Sequence, residues 1–65
     1  MIYLLCERTT EFQLQSRQWR KGRVYKAEDD LRYALETSPA IQLYLKEITP
    51  VEALVLSRGK IRRLP

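Results

Sequence analysis

Five cations fall within ten residues, Arg17, Arg20, Lys21, Arg23 and Lys26, and they are interleaved with Trp19 and Tyr25. Guanidinium and ammonium groups meet phosphates while aromatic faces stack on bases, so single-stranded nucleic-acid binders use this mixture. A second cationic cluster, Arg58, Lys60, Arg62 and Arg63, would extend the footprint. Binding through such contacts would fall steeply with salt. The same residues also have a plainer use. Trp19 and Tyr25 serve equally well as core, and Lys or Arg along an exposed strand edge discourages sheet-to-sheet aggregation. Internal partners are close in sequence too, since Glu28, Asp29 and Asp30 follow directly. No RNP motif, GxxG loop or zinc-ligand spacing accompanies the cations.

Catalytic chemistry has little to draw on. Histidine is absent, which removes the commonest general base and the commonest metal ligand. Serine and threonine hydroxyls therefore lack a histidine to activate them. Asp29 and Asp30 are adjacent, so on a helix their carboxylates diverge and form no close pair. With two glycines in all, no phosphate-cradling loop exists. The single cysteine, Cys6, excludes an internal disulfide and a thiolate cluster within one chain. It sits in an apolar run, where a free cysteine behaves as a small hydrophobe. The expectation is a chain that is not an enzyme, has no cofactor or metal and takes no small-molecule substrate.

The positioning elements must come from a short chain. At 65 residues it is one small domain, 1–65, with 60–65 read as a basic tail or a short final strand. A domain of this length buries only about 60% of the surface its unfolded chain exposes, so a partner can complete its core. Net charge is +4 and unevenly spread. Residues 1–26 carry six cations and two acids, 27–57 carry two cations and six acids, and 58–65 carry four cations and no acid. Basic ends thus flank an acidic centre, which can either hold a fold together or present a cationic face to a polyanion. "MIYLLC" is stopped by Glu7 and Arg8, so no run reaches the ~18 apolar residues of a membrane span. With neither a secretion leader nor a cysteine pair, the expected compartment is the cytoplasm, without membrane association.

"MIYLLCER" reads as a strand with both faces apolar at its start, which suits a central position. "FQLQSRQW" alternates again, with Phe12 and Leu14 on one side. Lys21-Gly22 then reads as the turn of a hairpin that leads into a strand at Arg23–Lys26. "EDDLRYALET" is helical, with Leu31, Ala34 and Leu35 on one stripe and acids at its positive dipole end. "AIQLYLKEI" fits both periods; Ser38 as N-cap and Pro39 at the first helical position favour helix. Thr49 and Glu52 form a capping box with Pro50 at the first position, and Gly59 fits the residue after the last turn. That last helix would bury Val51, Leu54 and Val55. A helix-turn-helix is disfavoured because Thr49 alone would separate the two C-terminal helices.

The run "GRVYKAEDDLRYAL", residues 22–35, resembles a segment recurrent in small tailed-bacteriophage accessory and virion proteins. Gly22, Val24, Tyr25, Leu31, Ala34 and Leu35 carry the likeness, in which a turn glycine, a short strand, a polar stretch and a helix follow in order. It covers about a fifth of the chain, and "TSP" closes the helix where such segments use a glycine. The resemblance implies a non-enzymatic protein of phage or prophage origin and assigns no functional residue.

The sequence therefore predicts a small α+β domain: an N-terminal antiparallel sheet of two or three strands covered by two or three short helices. Its expected core is Ile2, Leu4, Cys6, Phe12, Leu14, Val24, Leu31, Leu35, Ile41, Leu45, Ile48, Leu54 and Val55, with Trp19 at the margin. The expected function is a protein-interaction or assembly module that binds a partner or itself. The alternative is a nucleic-acid-binding accessory protein using 17–26 and 58–63.

Overall fold

The structure is a computed structural model, and it describes residues 1–14, 18–58, 60 and the backbone of 62–63. Ile2, Leu4 and Cys6 alternate with Tyr3 and Leu5 along β1 (Ile2–Cys6), and both sets are wanted because β1 lies inside the sheet. Its neighbours are β2 (Val24–Ala27) and β3 (Leu45–Ile48), each antiparallel to it. A two-residue β4 (Arg62–Arg63) adds parallel to the far side of β2, giving the order β3-β1-β2-β4. Three helices, α1 (Asp30–Thr37), α2 (Pro39–Gln42) and α3 (Pro50–Ser57), complete the predicted α+β fold.

Register decides which side chains share a layer. Ile2 faces Ala27 and Leu4 faces Tyr25, so these four point to one side of the sheet. There they meet Cys6, Trp19, Leu45 and the α1 stripe of Leu31 and Leu35 in the main core. Leu5 faces Val24 and Tyr3 faces Ile48, on the opposite side, where Ala53 of α3 covers them. The sheet is thus packed on both faces, thickly by α1, α2 and the Trp19 loop, thinly by α3. Arg32 of α1 clamps Glu47 of β3 with two hydrogen bonds of 3.1 and 3.0 Å, tying the main layer to the sheet edge.

Several local expectations are corrected. The expected hairpin partner of β2 is 12–19, of which Gln15–Arg17 lie outside the described residues; β1 takes that place. Thr10 and Trp19 are tied together instead. Thr10, itself buried, donates its N–H to the Trp19 carbonyl and accepts the Trp19 N–H on its hydroxyl, at 2.9 and 3.0 Å. Trp19 is 0% exposed, at the centre of the core and not at its margin, whereas Phe12 is 37% exposed. Leu14 and Ile41 are only half-buried and pack against the main core from outside. The turn itself forms as expected: Gly22 takes φ +84 and donates its N–H to the Cys6 carbonyl.

"AIQLYLKEI" divides between both readings. Ser38 caps and Pro39 starts α2, but α2 ends at Gln42 and the chain becomes β3. The helical spacing of Leu45 and Ile48 misleads because each is buried against a different face of the sheet. Two consecutive C-terminal helices therefore do not occur. The capping box at Thr49 and Glu52 forms with both bonds present. The left-handed residue at the end of α3 is Arg58 (φ 52), and Gly59 lies outside the described residues. The largest correction concerns α3 itself: Val51, Leu54 and Val55 face outward, and Ala53 is its only buried residue.

Candidate functional site

The described cations divide by the elements that hold them. The Arg20–Arg23 turn, closed by a 3.3 Å bond from the Arg23 N–H to the Arg20 carbonyl, exposes Arg20, Lys21 and Arg23. Lys26 follows on β2 and is half-buried; its register opposite Tyr3 places it on the α3 side. Lys46, opposite Leu5 on β3, projects from the same side and is exposed. Arg58 and Lys60 are exposed beyond the end of α3. The parallel β2–β4 pairing then sets the backbone of Arg62 and Arg63 beside Tyr25 and Lys26. Two basic segments that are distant in sequence thereby share one edge of the sheet. Arg17 lies outside the described residues.

No ion pair among the described residues joins the acidic centre to Arg20, Lys21, Arg23 or Lys26. Among the described residues the ion pairs are Met1 N-terminus to Asp29 (2.7 Å) and Arg32 to Glu47 (3.0 Å). The Met1 ammonium holds the Asp29 carboxyl below its ordinary range, first through their hydrogen bond and then through charge. Glu52 is likewise lowered, by the Thr49 backbone N–H and then the Thr49 hydroxyl that bond it. Glu28 and Asp30 form no ion pair among the described residues.

The aromatic half of the expected nucleic-acid surface is elsewhere. Trp19 and Tyr25 are 0% and 1% exposed, with ring centroids 4.5 Å apart. The Trp19 indole N–H donates to the Leu14 carbonyl and the Tyr25 hydroxyl accepts the Arg20 N–H. Stacking bases on either ring would mean opening the core, so only the cations remain for contact at this edge.

The apolar surface of α3 was missed by sequence reasoning. Val51, Leu54 and Val55 recur at i, i+3, i+4 and are 72%, 60% and 68% exposed, with Leu56 at 50%. The available signal was that α3 is apolar all round, with Glu52 and Ser57 as its polar exceptions, which leaves its inward face undecided by pattern. Ala53 settles the matter, since its small side chain lets the helix lie close against Tyr3, Leu5, Val24 and Ile48.

Two other places were candidates for chemistry. A groove of about 430 Å³ between the start of β1, the end of β3 and the start of α3 is lined by Met1, Arg32, Glu47 and Glu52. Each of these charges has a partner within the chain: Met1 pairs with Asp29, Arg32 with Glu47, and Glu52 accepts from Thr49. Cys6 is buried, donates its thiol to the Arg8 carbonyl at 2.9 Å, and has its pKa pushed up by burial. Among the described residues no cluster of His, Cys, Asp or Glu could hold a metal ion, and no helix is long and apolar enough to cross a membrane. No known protein family, curated protein or solved structure matches the chain.

Proposed function

We propose that this chain is a small non-enzymatic interaction and assembly module, of phage or prophage origin, whose docking surface is the outer face of α3. The observation that carries this reading is the orientation of α3. A two-turn helix that buries one alanine and leaves Val51, Leu54, Val55 and Leu56 in water is stabilised by whatever covers it. The phage origin is supported by residues 22–35, where a turn at Gly22, the strand β2 and the helix α1 follow in the order of the segment they resemble. A photo-crosslinking residue at Val55, compared with one at the exposed Glu36, tests the docking reading in cells that express the chain. A discrete adduct at Val55, absent at position 36 and abolished by Leu54→Glu, is expected. Equal or absent adducts at both positions overturn it.

A second reading, binding of single-stranded nucleic acid through the β2–β4 edge, is favoured by one observation. The Arg62–Arg63 backbone lies beside Tyr25–Lys26, and among the described residues Asp29 and Glu47 pair elsewhere while no ion pair reaches Arg20, Lys21, Arg23 or Lys26. Affinity for an oligonucleotide should then drop by an order of magnitude or more between ~50 and ~200 mM salt. No binding at the lower salt overturns this reading.

A further inference from the structure

The outer stripe of α3 has a charge pattern that selects its occupant. Glu52 stands in the first turn, Arg58 at the C-cap, and residues 53–57 between them are uncharged. We propose that the stripe is covered by α3 of a second copy of this chain, packed antiparallel about a two-fold axis. This rests on the reading that the outer face of α3 is a docking surface, and it names the partner.

Antiparallel packing makes the stripe complementary to itself. A two-fold axis between residues 54 and 55 sets Leu54 against Val55 of the mate and Val51 against the mate's Arg58. A larger side chain thus meets a smaller one, and the methylenes of Arg58 cover Val51 while its guanidinium stays in water. Glu52 then faces the cationic end of the mate, and this happens twice because the interface is isologous. One carboxylate oxygen of Glu52, Oε1, is held by Thr49; Oε2 makes no hydrogen bond among the described residues and is open to Arg58 of the mate. The helix dipoles also oppose one another. Parallel packing would instead place Arg58 on Arg58.

A different surface by which two copies could join is the outer edge of β3, and its charges oppose that. Antiparallel pairing of β3 with its own copy keeps each residue on its face of the sheet, so the central pair is always a residue with itself. A pairing centred on the middle of β3 therefore sets Lys46 on Lys46 or Glu47 on Glu47, both exposed and like-charged.

α3 is about 12 Å long, shorter than a standard interface requires, so the dimer should be a weak one that dissociates on dilution. Sedimentation equilibrium of the full chain from ~5 to ~500 μM tests this. The weight-average mass should climb from the 7.8 kDa monomer toward twice that value. Leu54→Glu and Val55→Glu, at exposed positions that leave the far-ultraviolet circular dichroism unchanged, should remain monomeric throughout. Arg58→Glu should weaken association at least several-fold, since it sets a second acid against Glu52. A chain that stays monomeric at every concentration, or a dimer untouched by Leu54→Glu and Val55→Glu, overturns the proposal. A monomer that still gives the discrete Val55 adduct in cells leaves the docking reading intact and removes the second copy alone; a monomer without that adduct removes both.

Discussion

The rings of Trp19 and Tyr25 lie 4.5 Å apart at 54°, both sealed from solvent and both hydrogen-bonded to backbone of the loop that leads into β2. This pair anchors a connection of some seventeen residues between β1 and β2 that contains no strand or helix of its own among the described residues. Its aromatic surface thus stabilises the fold and is spent before any ligand arrives.

Trp19→Ala should therefore be close to fatal. Removing a buried tryptophan costs about 3–5 kcal/mol, against a total of about 3–10 kcal/mol for a chain of this length. Urea denaturation followed by circular dichroism should show a partly unfolded protein without denaturant. Tyr25→Phe keeps the ring and removes the acceptor of the Arg20 N–H, so its expected cost is nearer 1 kcal/mol.

Acid should loosen the chain through Asp29 and Glu52. Both carboxyls are held below their ordinary values of 3.8 and 4.5, so both contribute stability that is complete above the unfolded values. That contribution is lost as pH falls through the lower folded values. Denaturation midpoints should thus decline from about pH 5 downward. Acetylating the Met1 amine removes the charge opposite Asp29, and its titration by NMR should then move up toward 3.8. An unchanged Asp29 titration would show that the pair has no influence on it.

Arg58 occupies the left-handed region at φ 52, where a side chain is strained and glycine is not. Arg58→Gly should raise stability, by up to about 1 kcal/mol, read as an increase in Tm. Thr49→Ala at the other end of α3 should lower it by about 1 kcal/mol through loss of the capping bond.

Cys6 is 1% exposed and its thiol is pushed above the ordinary value of 9.0 by burial. Alkylation at neutral pH should consequently be far slower than for a model thiol and should accelerate with urea along the unfolding curve. Rapid labelling of the native chain would mean that β1 opens locally.

The two faces of β1 were legible in sequence because its alternation is unbroken and both sets are apolar. The capping box of α3 and the stripe of α1 were legible for the same reason: they are local patterns with one physical solution. β3 was not, because its Leu45 and Ile48 answer to different layers, and a residue's spacing does not say which layer it meets. The strand partner of β2 was not legible either, since alternation records burial and not the neighbour across the ladder.

By itself, then, the chain's order of residues determined the helix starts, the central strand, the turn at Gly22 and the segregation of charge into basic ends and an acidic middle. Only tertiary structure decided that Trp19 is interior, that the Arg62–Arg63 backbone comes to rest beside Lys26, and that α3 turns its valines and leucines outward. The physical reason is that a helix apolar on every side carries no inward direction of its own. The close approach that Ala53 allows against the sheet supplies one, and it leaves the larger side chains in water.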